Sequence, residues 1–235
     1  MNLDAYIGGL IGALVTYILT RGKEIAEKIL NRYSRHKTAL VKLEQIYCEN
    51  LDIIYRNIDN ANQLSKAIED ASKVGAIPLF FGKFHTIPYD KTVLADLTTL
   101  DFMNEVLSLN IDYARTNSDM DTVISMYEKL KPFLNKKENA DPFLKDLERL
   151  RKFIEYLDNK TEEMLAKVQT LLKFKGPIII RFTGLFMQKK AYSKKFGKLY
   201  PGVLQEVKNG RAEVIKESQK KLDELYRNSA PKVEK

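Results

Sequence analysis

From Ala5 to Thr20 the chain reads AYIGGLIGALVTYILT, sixteen residues without a charge and with apolar positions on every side of a helix. At 1.5 Å per residue this is ~24 Å of helix. That is short of a hydrocarbon core of ~30 Å. Leu3 and the snorkelling side chains of Arg21 and Lys23 extend its reach. Tyr6 and Tyr17 stand near the two ends, where interfacial aromatics are favoured. The pattern predicts a single transmembrane anchor over residues 1–20, with a buried core helix as the competing reading. Arg21, Lys23, Lys28, Arg32, Arg35 and Lys37 all follow the span. Positive charge on that side puts the N-terminus outside and the C-terminal body in the cytoplasm. The start, MNLD, has no basic side chain, so the segment does not read as a cleaved leader. Gly8 with Gly12, and Gly9 with Ala13, are small residues four apart, candidates for helix packing in the membrane and hence for a homo-oligomer.

Beyond the anchor the periodicity is helical. Leu40, Tyr47, Ile54, Ala61 and Ile68 recur every seven residues, with Leu43 and Leu64 three later and Leu51 and Ile58 four later. Asn50 and Asn57 take the alternative places. This is a wide stripe suited to one face of a bundle, and it predicts a long juxtamembrane helix over 21–73. Pro78, Gly82 and Pro88 break the pattern over 74–98, where Phe80, Phe81, Phe84 and Tyr89 are gathered. We read an ordered loop that folds its aromatics onto the helices; the functional alternative is an aromatic docking patch.

Residues 99–173 hold two seams with alternating spacings of three and four, one from Val106 to Leu134 and one from Phe143 to Leu171. A polar turn separates them, with Asp141 as N-cap and Pro142 at the first helical position. The expected element is an antiparallel hairpin with Leu134 opposite Phe143, Thr116 opposite Thr161, and Tyr113 near Met164. Pro132 predicts a kink or an early helix end. A basic amphipathic segment over 174–202 and a polar C-terminal helix and tail over 203–235 complete the chain. The expected fold is therefore all-α: an N-terminal single transmembrane helix followed by an elongated helical bundle, partly of coiled-coil character, containing an antiparallel helical hairpin.

Charge sharpens this picture. The net charge is +8 over 235 residues, unevenly spread. From Lys173 to Lys235 there are 16 basic and 6 acidic residues, whereas residues 1–172 hold 23 and 25. No acidic residue occurs between Lys173 and Gln205. Arg181, Lys189, Lys190, Lys194, Lys195 and Lys198 are the candidate contacts for an anionic surface. Tyr192, Phe196 and Tyr200 interleave with them, which also suits nucleic acid, though the lysines match no recognition motif and rank it lower. The bland alternative is neutralisation by the chain's own acidic middle.

Chemistry is sparse. Cys48 is the single cysteine, so no internal disulfide exists. His36 and His85 have no companions at metal or triad spacing. There is no CxxC, HExxH, P-loop, GxSxG or dinucleotide fingerprint. The expectation is a non-enzymatic chain without cofactor or metal: a membrane-tethered cytoplasmic helical scaffold or adaptor with a protein partner. The alternative is a membrane-associated module that binds anionic lipid or nucleic acid through its basic C-terminal third.

Overall fold

The computed structural model describes residues 3–97, 99–173 and 189–229, without the side chains of 3–12, 189–193, 218, 219 and 221–229. Among the described residues the chain forms four α-helices and no strand: α1 (Leu3–Val74), α2 (Leu100–Leu130), α3 (Lys137–Lys173) and α4 (Lys189–Ser229). Short 3-10 turns stand at Thr92–Asp96 and Lys131–Phe133.

One helix of 72 residues, α1, supplies both a stalk and a wall of the body. Burial begins at Ala39. From there positions stepping alternately by three and four are all buried: Leu40, Leu43, Tyr47, Asn50, Ile54, Asn57, Ala61, Leu64, Ile68 and Ala71. Residues 13–38 are exposed, except that Tyr33 and His36 are half-buried. Gly75 ends the helix at φ 68°, a conformation open to glycine, and the Ala76 N–H reaches back to the Ala71 carbonyl at 3.0 Å.

The membrane span expected over 1–20 is not supported. Among the described residues no helix is long and apolar enough to cross a membrane. The uncharged run ends after about four and a half turns, where the helix continues into Arg21 and Lys23. The side chains before Ala13 lie outside the described residues.

Asparagine amides organise the body. Residues 76–90 run extended between α1 and α2, with no ladder to receive their peptide groups. Asn57 takes both sides of His85, donating to its carbonyl at 2.8 Å and accepting from its N–H at 2.7 Å. Asn117 of α2 does the same for Ile87, at 3.0 and 2.8 Å. Asn50 donates to the Pro88 carbonyl and Asn60 to that of Lys83, at 2.9 and 2.8 Å. The Tyr127 hydroxyl donates to the Pro78 carbonyl at 2.9 Å. Gly82 is required here: a Cβ would lie 2.6 Å from the Asn60 amide oxygen and 2.5 Å from the Phe80 ring. Phe84 and Ile87 are buried under this strap, while Leu79 and Phe81 face outward.

A short turn joins α2 to α3, and the two run antiparallel. Lys167 pairs with Glu105 at 2.9 Å and Lys160 with Asp112 at 3.1 Å. The expected register is off by about one turn. Thr116 and Thr161 are both buried, but the Thr161 hydroxyl meets the Tyr113 hydroxyl at 2.7 Å, three residues before Met164. Tyr127, rather than Leu134, packs on the Phe143 ring. The cause is the position of the turn. Helix α3 starts at Lys137, so Asp141 is no cap and Pro142 lies inside the helix. The Asn139 amide donates to the Phe133 carbonyl and closes the turn at 3.1 Å. Moving the turn towards the N-terminus shifts every facing pair the same way. The early helix end at Pro132 does occur, since α2 stops at Leu130.

The strap makes its own prediction. Replacing Asn57 by Ala strands a donor and an acceptor of His85, and should lower unfolding stability by about 2–3 kcal/mol. Replacing Asn60 by Ala removes one exposed bond and should cost about 1 kcal/mol or less. Denaturant unfolding checks both; equal effects would mean that the two-sided amide contact is not what holds the strap.

Candidate anionic-surface interface

The direction of α4 determines where the candidate lysines lie. Its docking rests on one cation: Arg211 reaches across to α3 and binds the Asp158 carboxylate through both terminal nitrogens and Glu162 through one, the latter at 2.7 Å. All three side chains are largely buried. Burial pushes the Asp158 carboxyl above its ordinary range, outweighing Arg211, and the neighbouring Glu162 adds to the rise. Burial also opposes the charge on Arg211, but its two carboxylate partners hold that charge more firmly than usual. Val203 is buried beside this contact, and Glu206 takes Lys173 at the end of α3.

These pairs make α4 antiparallel to α3. Helix α3 is in turn antiparallel to α1: Gln169 donates to Glu44 at 3.0 Å, while Ala61 and Ser65 share a cleft with Leu147 and Arg151. Consequently α4 runs parallel to α1. A groove of about 340 Å³ lies between them over α3, lined by Leu51 and Tyr55, Leu165, and Val207 and Val214. Glu206 meets the last residue of α3, while Tyr200, six residues earlier, lies in charge range of Glu163 of α3 and Glu105 of α2. Lys198 stands eight residues before Glu206 along α4, on the other side of Pro201. The candidate lysines of α4 therefore occupy the same end of the body as Arg32, Arg35 and Lys37 of α1.

Lys194, Lys195 and Lys198 are exposed, and Phe196 stacks on Tyr200 with ring centroids 5.7 Å apart. Lys194 and Lys198 have no ion pair among the described residues. The acidic middle thus spends Asp158 and Glu162 on Arg211 rather than on these two lysines. Lys189 and Lys190 belong to α4 but their side chains, like Arg181 as a whole, lie outside the described residues. The same holds for the side-chain positions of Gly8, Gly9 and Gly12 in α1, whereas Ala13 is exposed. Sequence reasoning placed a boundary at 202; α4 instead passes through Pro201, giving up the bond to the Gly197 carbonyl. It also missed Arg211, whose role has no signature in one helix alone. Among the described residues no His, Cys, Asp and Glu cluster could hold a metal ion.

Comparison of the chain with family models, curated proteins and solved structures finds no match.

Replacing Arg211 by Met leaves two buried carboxylates facing each other and should loosen α4. Breaking a buried pair from one side costs ~3–5 kcal/mol. Amide exchange over 203–215 should rise sharply. Adding Asp158→Asn and Glu162→Gln to that variant should restore most of the protection, and exchange left unchanged by Arg211→Met alone would assign α4 docking to Val203 and Val207 instead.

Proposed function

We propose that this chain is a membrane-tethered helical scaffold or adaptor whose body stands on the cytoplasmic side. The observation that carries the reading is the stalk. Helix α1 runs from the uncharged stretch into the body core without a break, and Leu14, Val15, Tyr17, Ile18 and Leu19 are exposed over about half of its circumference, with the uncharged Ala13, Thr16 and Thr20 on the rest. Nothing among the described residues covers them. Uncharged side chains on every side suit lipid better than water. The basic residues that follow favour the cytoplasmic side for the body. Its function is then to hold a helical surface at a set distance from the bilayer.

A second reading is favoured by one specific arrangement and is compatible with the first. Exposed Lys194 and Lys198 share an end with the basic residues of the stalk, so the tether would bring them to the headgroups. Each basic residue near an anionic leaflet contributes ~1 kcal/mol. The apolar residues Ile178–Ile180, Phe182, Leu185 and Phe186 precede them in sequence. Contact with anionic lipid is thus the preferred role of the basic third, with nucleic acid ranked below it.

Two measurements test these readings. The full chain should remain in the membrane pellet after carbonate extraction, with its C-terminus open to protease from the cytoplasmic side, and removal of residues 1–20 should release it. Full-length protein in the soluble fraction would reject the tether. The released body should bind anionic vesicles more tightly than neutral ones, and lose about tenfold or more in affinity when Lys189, Lys190, Lys194, Lys195 and Lys198 become Gln. Equal binding to both vesicle types would reject the lipid contact.

A further inference from the structure

The buried seam of α1 does not stop where the body does. Counting back from Leu40 by four and three gives His36, Tyr33, Ile29, Ala26, Gly22, Leu19 and Val15, all uncharged. His36 and Tyr33 are half-buried at the body's edge. Val15, Leu19, Gly22, Ala26 and Ile29 are exposed. Of the other large apolar side chains of this stretch, Ile18 and Ile25 flank the seam on one side and Leu30 on the other, while Tyr17 lies on the far face. From Thr20 to Thr38 the positions furthest from the seam are all polar: Thr20, Arg21, Glu24, Glu27, Lys28, Asn31, Ser34, Arg35 and Thr38. A seam of this kind, with polar residues confined to the far face, is what one helix presents to another.

Gly22 adds an independent sign. Within this chain a Cβ at Gly22 would meet nothing within 4 Å, so the fold does not require glycine there. Glycine in a helix interior is nonetheless unfavourable. Together with Ala26, four residues on, it is the spacing that lets two helix axes approach closely.

We propose that two copies of this chain pair in parallel through the seam Val15–Ile29 of α1. A tether in one membrane holds both copies in the same sense, so identical residues face each other across a two-fold axis. The pair would bury Val15, Ile18, Leu19, Ile25, Ile29 and Leu30 from each chain, now 37% to 68% exposed. That is on the order of 1,000 Å² of apolar surface, the size a specific interface needs. The contact ends at Ile29, because α3 and the strap occupy the seam face from Leu40 onwards. A crossing centred on Gly22 and Ala26 lets the axes diverge above it and gives the two bodies room.

The parallel sense rests on the proposed tether, whereas the pairing itself is tested in detergent or in buffer, wherever the full chain is found. In a Cys48→Ser background, single cysteines are introduced at Ala26 and Ile29 on the seam and at Glu24 and Glu27 away from it. Mild oxidation should give disulfide-linked dimer at the two seam positions, at least tenfold more than at the two outer ones. Sedimentation should give twice the 27.1 kDa mass of the chain. Ile29→Glu should return the mass to that of one chain while leaving the body's unfolding midpoint unchanged. A single-chain mass with no dimer from any position would overturn the proposal. So would an Ala26 cysteine that links only to a cysteine placed in residues 174–188 of its own chain, or only to another protein. Even crosslinking at all four positions would overturn it too, because it reports collision rather than a seam.

Discussion

A peptide chain that crosses between two helices in an extended conformation carries its N–H and C=O groups into the interior with no neighbouring strand to receive them. In this protein side-chain amides receive them. Asn57 and Asn117, from helices on opposite sides, each bind both polar groups of one residue of the strap, His85 and Ile87. The rest of the topology follows from that seat. Fifteen extended residues cover ~50 Å, and the buried length of α1 from Ala39 to Val74 is ~54 Å. The strap therefore returns the chain to the end where α1 enters the body. Helix α2 must then start there and run parallel to α1, and α3 must come back antiparallel to both. A tight turn after Val74 would have produced the opposite orientation for α2 and everything after it.

The two ends of the body are chemically different as a result. The end away from the stalk holds the α2–α3 turn and the outward-facing Leu79 and Phe81, with Phe80 fixed edge-on against Tyr127. The stalk end holds the last turn of α3, the start of α2 and the lysines of α4. Arg211 sets this second arrangement. Two carboxylates four residues apart on α3 can be buried only against a cation, and a guanidinium with several donors serves both at once. That contact chooses where α4 meets α3.

The difference between what could and could not be read from the sequence has the same origin. Apolar periodicity reports on one helix at a time, so the buried positions Leu40, Tyr47, Ile54, Ala61 and Ile68 were legible at once. Relations between helices depend on connections and on polar contacts, which have no period. Asn50 and Asn57 looked like gaps in the stripe, yet they are as buried as the leucines because their partners are backbone groups 28 to 38 residues away. The hairpin register failed through a turn misplaced by a few residues, since Asp141 and Pro142 imitate a helix start inside a helix that had already begun. The lysine cluster was visible as a composition, but its proximity to the stalk depended on Arg211, which looked like any other basic residue on a polar helix.

The continuity of α1 makes these features mechanically one object. Between Lys23 and Val74 it contains neither glycine nor proline, the residues that most often kink a helix. A straight helix drifts by ~20° per heptad against a seven-residue repeat. Over the five heptads nearest its C-terminus the helix is held by both the strap and α3. Below Ala39 the same helix has no neighbour, and its orientation is set only by what grips the stalk. Rotation about the α1 axis changes which side of the body faces a given direction. The body and the stalk therefore turn together for as long as α1 is unbroken between Ile29 and Ala39.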